Sequence, residues 1–485
     1  MTARVEPANL EIEPIALFGR TLEYKYLVAA VLVSALFLDI LDTTIVNVAL
    51  PTLGREFGAD STEWVVVGYT LSLAVFIPVS GWLSDRVGTK RVFLFAFAMF
   101  LGASALCGAA QSIEQLIAFR VLQGVGGGML TPVGLAMMFR VFPPAERARV
   151  STLMMIPTLA APALGPVIGG FLITNAGWRW IFYVNVPIGV IAFVVGLKLL
   201  REHREPSAGP FDAAGFVLSG GGLAAFVYAL SQGPRHGWTS GPVLLFGIVG
   251  VAMLIAMVQV ETSKRHPMLM LGLLRDRMFR NANVVSAFSI ASFLGLLFVL
   301  PSYLQSLRGL SAQASGLVTF PQAIGVGCST FIAGSLYKRV GPRRLIFSGL
   351  FLASLSIFAF HWLTLTTSLW WIRGLMLTRG FCMGFAFVPM QASSYATIAP
   401  ADNGRASSIF STQRQVAVSI TVAILGTILV NYIVVGPSGR VADPQRTLDG
   451  FHLTFLVAAS LALAGSLAAL MIRDTDAAAT MAPRS

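Results

Sequence analysis

The sequence has little charge. Only 12% of its 485 residues are Asp, Glu, Lys or Arg, whereas 55% are hydrophobic, and the mean hydropathy is +0.76. A soluble domain carries about 25% charged residues, so a water-soluble globular protein is excluded. Apolar stretches long enough to cross a bilayer, roughly 18 to 25 residues each, recur along the whole chain. The composition therefore predicts an all-α integral membrane protein.

Cysteine and histidine are also scarce. The three cysteines, Cys107, Cys328 and Cys382, lie in apolar segments at spacings that suit neither a metal site nor a disulfide framework. The five histidines form no ligand cluster in the sequence. The glycine-rich run that begins at Arg120 lacks the Lys-Ser/Thr ending of a phosphate-binding loop and the spacing of a dinucleotide fingerprint. We therefore expect no metal, no cofactor and no enzymatic activity.

The apolar runs predict about fourteen transmembrane helices. An even number places both termini on one side, and the loops of that side are rich in arginine and lysine, which identifies them as cytoplasmic. The net charge of +12 therefore reflects topology and contact with anionic lipids, and no basic tract with interleaved aromatic residues indicates nucleic acid. The expected spans are 26–49, 63–83, 92–110, 115–138, 150–172, 179–200, 212–231, 242–261, 281–305, 314–336, 343–363, 370–394, 407–431 and 452–472.

The chain contains an internal repeat. Segment 81–91, GWLSDRVGTKR, returns 253 residues later at 334–344 as GSLYKRVGPRR. A six-helix unit plus two additional helices accounts for this offset. Parallel repeats of this kind occur in secondary transporters, where the substrate site lies near the midplane between the repeats. The predicted units are a cytoplasmic tail (1–25), a six-helix bundle (26–204), two extra helices (205–265), a second bundle (266–473) and a cytoplasmic tail (474–485), with both tails poorly ordered.

Two aspartates, Asp39 and Asp42, lie near the middle of the first apolar run. A carboxylate at the bilayer centre costs at least ~2.5–3.5 kcal/mol on insertion scales. The two residues are three apart and share one helix face, where two carboxylates do not readily ionise together. One of them is therefore suited to carry a proton. Alternatively, the acids form a salt bridge that holds helices together, and the two roles are compatible.

Other polar side chains at membrane depth are candidates for lining a substrate cavity or for hydrogen bonds between helices. Arg120 is a buried cation that needs a partner. Arg379 is a second one, with no acid of its own half at the same depth, so its partners are backbone carbonyls, water or an anionic substrate group. The remaining candidates are Asn47, Gln123, Gln391, Gln413 and Arg414.

The repeated segment has the features of a tight, charged loop. Gly88 suits a backbone with positive φ, and Asp85 suits the N-terminal end of a neighbouring helix. The second copy carries Lys338 where the first carries Asp85, so a carboxylate-dependent contact is doubtful in the second half. The candidate residues of this loop are Gly81, Asp85, Arg86, Gly88, Lys90, Arg91, Gly334, Gly341 and Arg344.

Small residues predict close helix packing. Gly165 and Gly169 are four apart in the fifth run and form a small-xxx-small face. Pro166 removes a backbone hydrogen bond and permits a bend. We expect these residues, with Gly124 in the fourth run and Gly170, to be packing or hinge positions.

On these motifs the chain resembles the major facilitator superfamily, and within it the fourteen-helix branch of drug:proton antiporters, the EmrB/QacA-type family. The motifs are 41–51 (LDTTIVNVALP) in the first helix, 81–91, and 157–170 (PTLAAPALGPVIGG) in the fifth helix. The resemblance covers nearly the whole chain. It implies a major facilitator fold in which two six-helix bundles are separated by two extra transmembrane helices, giving 14 spans.

The resemblance also implies roles for individual residues. Asp42 matches the family's first-helix acid, and because the family packs helices 1 and 4 together, Arg120 is its expected partner. Segment 81–91 is then a cytoplasmic latch between the halves, and 157–170 marks antiporters and forms a hinge and seal. Asp39 is less usual in the family pattern, and we interpret it as a residue that tunes Asp42 or as a second protonation or cation site.

The implied function is a proton-coupled antiporter that exports lipophilic drugs or related small molecules across the bacterial cytoplasmic membrane by alternating access. Its expected partners are a small lipophilic substrate, protons and membrane lipids, and its expected oligomeric state is a monomer. A dedicated exporter of an endogenous metabolite or lipid is an alternative, since both kinds of protein use an apolar cavity. A lipid-binding scaffold that does not transport is a third reading, which the intramembrane acids and the latch disfavour.

Overall fold

The computed structural model describes residues 15–17, 20–58, 62–205, 209–433 and 441–481. Long helices dominate these residues, and we number them α1 to α14 in chain order. Their bounds are α1 Tyr24–Phe57, α2 Trp64–Val87, α3 Thr89–Ala109, α4 Ile113–Val141, α5 Arg147–Asn175, α6 Asn185–Leu199, α7 Gly222–His236, α8 Gly241–Ser263, α9 Arg277–Ser306, α10 Pro321–Val340, α11 Pro342–Phe358, α12 Leu369–Ser394, α13 Asn403–Tyr432 and α14 Pro444–Ala469.

Short elements complete the fold. Helical segments precede α6, α7 and α10, and 3-10 turns precede α5, α9 and α13 and follow α11 and α14. Their bounds are Trp180–Tyr183, Ala213–Phe216, Ala312–Thr319, Pro144–Glu146, Leu271–Arg275, Pro400–Asp402, Ala359–Trp362 and Asp474–Ala477, with a π-helical turn at Val217–Gly221 and a last helical turn at Ala478–Met481. Before α1, β1 (Ile15–Leu17) and β2 (Arg20–Leu22) form a small antiparallel hairpin.

Twelve helices of the described part of the chain are long and apolar enough to cross a membrane. The sequence predicts fourteen spans, and the two long helices outside the twelve are α5 and α12. Prolines 157, 162 and 166 lie inside the continuous helix α5, and α12 contains Arg373 and Arg379. The described residues are thus all-helical apart from the hairpin, with twelve candidate spans among them.

The two six-helix bundles repeat each other in packing as well as in sequence. In the first bundle α2 packs on α4, α3 packs on α4 and α6, and α1 packs on α5 and α6. In the second bundle α10 packs on α12, α11 packs on α12 and α14, and α9 packs on α13 and α14. Each of these pairs returns eight helices later. This is the pattern that two copies of a six-helix unit produce when two extra helices separate them.

The two halves meet along two sides of the molecule. On one side α13 packs on α2 and α4, and on the other α5 packs on α10 and α12. The extra helix α7 covers the first side, since it packs on both α2 and α13. The extra helix α8 packs mainly on α7 and exposes a face of large apolar side chains, among them Leu245, Ile248 and Ile255. Such a face suits contact with lipid.

The C-terminal tail departs from the sequence prediction. It is folded from Asp474 to Met481, with Ala477 and Thr480 buried. The Thr480 hydroxyl lies 2.6 Å from that of Tyr337, and Asp476 pairs with Arg277 at 2.7 Å. The prediction of a poorly ordered tail is wrong here because these tertiary contacts leave no signal in composition. Residues 1–14 and 482–485 lie outside the described residues.

Candidate functional site

Asp42 lies at the centre of a buried polar cluster between α1, α4 and α6. Its carboxylate is fully buried and accepts a hydrogen bond from Arg120 Nη1 on Oδ2 at 2.5 Å. Its other oxygen accepts from Gln123 Nε2 and Asn185 Nδ2, each at 2.9 Å. Charge-assisted bonds of this kind are about twice as strong as neutral ones. Both carboxylate oxygens of Asp42 therefore have hydrogen-bond donors inside the protein.

Arg120 is held on several sides. It is 1% exposed, and besides Asp42 it donates to Gln123 Oε1 at 2.6 Å and to the carbonyl of Val65 at 3.2 Å. Its Cζ atom lies 4.1 Å from the ring centroid of Tyr69, in a cation–π arrangement. The pair of opposite charges is thus buried and hydrogen-bonded to neighbouring polar groups, which offsets the cost of desolvating it.

Asp39 lies one turn before Asp42 on α1 and has a different environment. It is only partly buried, and it accepts a hydrogen bond from the hydroxyl of Tyr69. Asp39 forms no ion pair with any residue that the structure describes. The two acids therefore differ in kind, since Asp42 is paired with a cation whereas Asp39 is partly exposed and has a neutral partner.

The glycines of α4 make room for this arrangement. A Cβ atom at Gly124 would lie 2.7 Å from the Tyr69 carbonyl oxygen, and one at Gly127 would lie 2.6 Å from the Tyr69 hydroxyl and 3.0 Å from Asp39 Oδ1. Any larger residue would displace Tyr69 or Asp39. The glycines thus bring α4 against α2 and leave space for the Tyr69–Asp39 bond.

The remaining polar candidates are not part of this cluster. Asn47 is exposed, and five residues place it about 140° around α1 from Asp42. Gln391 is buried with its Nε2 3.7 Å from Met154 Sδ of α5, so it lies at the seam between the halves. On α13, Gln413 has a buried amide without a hydrogen-bond partner among the described residues, and Arg414 is partly buried.

Arg379 is the second-half counterpart of Arg120. Both lie in the fourth helix of their half, and both reach the first helix of that half. The Nη2 atom of Arg379 donates to the carbonyls of Ser292 and Phe293 at 3.2 and 2.9 Å, and its Nη1 donates to the side-chain oxygen of Gln322. The backbone carbonyls and the Gln322 amide thus occupy the position that a carboxylate occupies in the first half.

Segment 81–91, which comprises the end of α2 and the start of α3, contacts the second half. A Cβ at Gly81 would lie 2.7 Å from the carbonyl oxygen of Gly404, so α2 and α13 touch backbone to backbone. The Ser408 hydroxyl donates to the carbonyl of Ile77 on α2 at 2.8 Å. Asp85 lies beside the first turn of α13 and 3.7 Å from Arg405, where the helix N-terminus favours a carboxylate.

A carboxylate from the same half accepts hydrogen bonds from the backbone amides that follow the turn at Gly88. Gly88 has φ +120°, and the amides of Lys90 and Arg91 donate to Glu202 at 3.0 and 3.2 Å. Glu202 lies shortly after the end of α6 at Leu199. Arg86 and Arg91 are exposed, and Lys90 is partly exposed.

The second copy repeats this closure. Gly341 has φ +85°, and the amide of Arg343 donates to Asp474 at 2.9 Å, while Arg344 is exposed. Asp474 comes after the last long helix of the second half, α14, and Glu202 comes after the last helix of the first half, α6. The copies differ at their first glycine, since a Cβ at Gly334 would approach only the Thr152 hydroxyl, at 3.2 Å.

The small residues of α5 serve two contacts. Gly165 and Gly169 face α1, where a Cβ at Gly165 would clash with Thr44 and one at Gly169 would lie 3.3 Å from Ile45. Pro166 instead faces the second half, 3.1 Å from where a Cβ of Gly316 would be. A Cβ at Gly170 would meet nothing within 4 Å. Gly165 and Gly169 therefore set the α1–α5 distance, and Gly170 has no packing role in this conformation.

Sequence reasoning missed four residues of these sites. Tyr69 and Asn185 contact the acids but stand in apolar runs without a charged neighbour that would mark them. Glu202 and Asp474 occupy equivalent places in Leu-Arg-Glu and Ile-Arg-Asp. That similarity is a signal that a search for short repeats after the sixth and last helices could have found.

Comparisons with known proteins give one consistent result. The family model for the Major Facilitator Superfamily matches residues 32–422. The chain is 35% identical over 83% of its length to a Multidrug resistance protein B homolog from Mycobacterium tuberculosis, covering 75% of that protein. It is 33% identical over 68% of its length to the Fatty acid resistance protein FarB from Neisseria gonorrhoeae, covering 65% of that protein.

The fold is also similar to a solved structure. The crystal structure of the human organic anion transporter MFSD10 (TETRAN) superimposes with a TM-score of 0.65, covering 92% of this chain and 99% of that one. The sequence identity is 16%, so this similarity concerns the fold alone.

Proposed function

The chain belongs to the Major Facilitator Superfamily, and from that premise we propose that it is a proton-coupled antiporter that exports lipophilic small molecules by alternating access. It is a multi-pass membrane transporter and not an enzyme, and its relatives include proteins named for multidrug resistance. The observation that carries the proposal is the pair of acids in α1. Asp42 is locked to Arg120 at 2.5 Å, whereas Asp39 is partly exposed and free of a cation among the described residues.

We further propose fourteen spans in the bacterial cytoplasmic membrane, with both termini and the 81–91 latch in the cytoplasm. The helices α5 and α12 have 29 and 26 residues, enough to cross a bilayer of about 30 Å. The loops beside Gly88 and Gly341 carry clustered basic residues, as cytoplasmic loops do. The proposed unit is a monomer with lipids around α8.

In the proposed cycle Asp39 takes up the proton. Protonation removes a negative charge one turn from Asp42 and turns the charge-assisted hydrogen bond from the Tyr69 hydroxyl into a weaker neutral one. Because the ring of Tyr69 lies on Arg120, movement of this side chain alters the contact between α2 and α4. The helix α2 carries Gly81 and Asp85, so the change reaches the latch with α13. One charge moved across 100 mV supplies about 2.3 kcal/mol.

Efflux from cells tests this proposal. A strain that expresses the protein should accumulate less ethidium than a strain without it, and collapse of the proton gradient should remove the difference. Asp39→Asn is the decisive variant, since it keeps the shape and the acceptor for Tyr69 but cannot exchange a proton. At equal membrane expression it should raise ethidium accumulation to the level of the empty strain. Wild-type efflux by Asp39→Asn would contradict the proposal.

A dedicated lipid exporter is the second candidate. One relative is named for fatty acid resistance, and the small cavity between the halves includes the apolar side chains of Pro162, Phe293 and Leu297, which suit a lipid as well as a drug. A deletion strain that becomes sensitive to long-chain fatty acids and to no other compound of a chemically mixed panel would favour this reading. Sensitivity to several unrelated lipophilic compounds would favour multidrug export.

A further inference from the structure

A buried arginine without an acid lies next to the seam between the halves. Arg379 is 0% exposed, and three acceptors bind its two Nη atoms, namely the carbonyls of Ser292 and Phe293 and the side chain of Gln322. Its Nε atom has no hydrogen-bond partner among the described residues. Arg379 also forms no ion pair with any of the residues that the structure describes. Dipoles solvate this cation, but no negative charge cancels it.

In the first half, the equivalent arginine is paired with an acid. Arg120 occupies the equivalent place in its half and meets the carboxylate of Asp42. A buried charge without a counter-charge is strongly destabilising, so a cation retained in this state calls for an anion from outside the chain. The position also excludes a role in attaching the protein to lipid head groups, because Arg379 lies within the bundle and not at its ends.

Gln322 connects the arginine to a cavity between the halves. In the present conformation this cavity has a volume of about 20 Å³, room for roughly one water molecule. A ligand can therefore occupy it only after the halves separate on the α5 side. The wall combines one amide, two hydroxyls and apolar groups from both halves, namely Thr158, Pro162, Phe293, Leu297, Thr319, Gln322 and Ala323.

We propose that Arg379 and Gln322 bind the anionic head of the substrate, and that the exported compounds include amphiphilic monoanions with one carboxylate or sulfonate on an apolar body. The apolar body would lie along Phe293, Leu297 and Pro162 once the cavity opens. The proposal rests on the proposed function, because it names the substrate class of the same transporter. Exchange of one proton for one monoanion moves two charges per cycle, whereas exchange for a monovalent cation moves none.

Two probes of equal chain length separate these cases. Decanesulfonate is a permanent anion and decyltrimethylammonium a permanent cation, and both can be loaded into liposomes that contain the purified protein. In counterflow without a pH gradient, the wild-type protein should exchange decanesulfonate across the liposome membrane. The variant Arg379→Gln should lower this exchange at least tenfold and leave that of decyltrimethylammonium within twofold. The matched control is Arg373→Gln on the same helix, where the partly exposed arginine lies over the ring of Trp370. This variant should exchange both probes as wild type does.

Absence of decanesulfonate exchange in wild type, or unchanged exchange by Arg379→Gln, would overturn the inference. If Arg379→Gln loses both probes, Gln322→Leu decides the matter, since it keeps the arginine and removes the polar wall. Selective loss of decanesulfonate by Gln322→Leu supports the inference, and equal effects on the two probes contradict it. Failure of the proposed function looks different: counterflow persists, but a pH gradient drives neither probe.

Discussion

The hydroxyl of Tyr69 donates a hydrogen bond to Asp39, while the ring of the same tyrosine lies 4.1 Å from the guanidinium carbon of Arg120. One side chain of α2 therefore contacts both the partly exposed acid of α1 and the partner of the buried acid Asp42. In the proposed cycle this geometry makes Tyr69 the connection between proton binding at Asp39 and the contact of α2 with α13.

Replacing Tyr69 by Phe isolates the hydroxyl from the ring. Tyr69→Phe keeps the ring over Arg120 but removes the hydrogen-bond donor to Asp39. Protonation of Asp39 then no longer changes a contact of α2. We expect gradient-driven transport in proteoliposomes to fall at least fivefold, while counterflow without a gradient stays within twofold of wild type. A parallel loss of both activities would show that the hydroxyl is needed for folding or substrate passage and not for coupling.

Separating Asp42 from Arg120 should destabilise the protein. Asp42→Asn leaves a buried cation without its counter-charge, and loss of one partner of a buried pair typically costs about 3–5 kcal/mol. Chemical unfolding in detergent, followed by tryptophan fluorescence, measures this. The double variant Asp42→Asn/Arg120→Gln removes the remaining charge and should recover much of the loss. Equal stabilities of the single and double variants would rule out an uncompensated charge as the cause.

The two copies of the latch should respond unequally to the same small change. Gly81→Ala places a methyl group 2.7 Å from the carbonyl oxygen of Gly404, whereas Gly334→Ala meets only a hydroxyl at 3.2 Å. We expect Gly81→Ala to lower transport about tenfold and to increase thiol labelling of a cysteine introduced at Ser408. Gly334→Ala is the matched control, with an effect below threefold. Comparable losses at the two glycines would refute an asymmetric latch.

The carboxylates that close the two loops should contribute to stability independently. Glu202 accepts from the first amides of α3 and Asp474 accepts from an early amide of α11, as capping groups do at helix N-termini. Glu202→Ala and Asp474→Ala should each cost about 1 kcal/mol of unfolding free energy, because they remove the acceptor of these amides. Their double variant should show the sum, because the two loops belong to different halves. A single variant that loses nothing would mean that its loop is held by other contacts.

The sequence predicts the repeat well, because each copy of the 81–91 loop carries its turn glycine and basic residues in the chain itself. It also identifies Asp42 and Arg120, since a charge in an apolar run stands out in any window. Tyr69 and Asn185 were not predictable in this way. Whether an uncharged polar side chain faces an acid depends on how neighbouring helices are rotated, and Asn47 shows the converse, since it lies in the motif but points away from the cluster.

Proton release on substrate binding tests the central claim most directly. In a lightly buffered detergent solution of the purified protein, at a pH where wild type binds a proton, saturating ethidium should release about one proton per protein, read by a pH-sensitive dye. Asp39→Asn should bind ethidium and release none, while Asp449→Asn, at an exposed acid of α14, should release as much as wild type. Proton release from Asp39→Asn equal to that of wild type would contradict the assignment of the exchanged proton to Asp39.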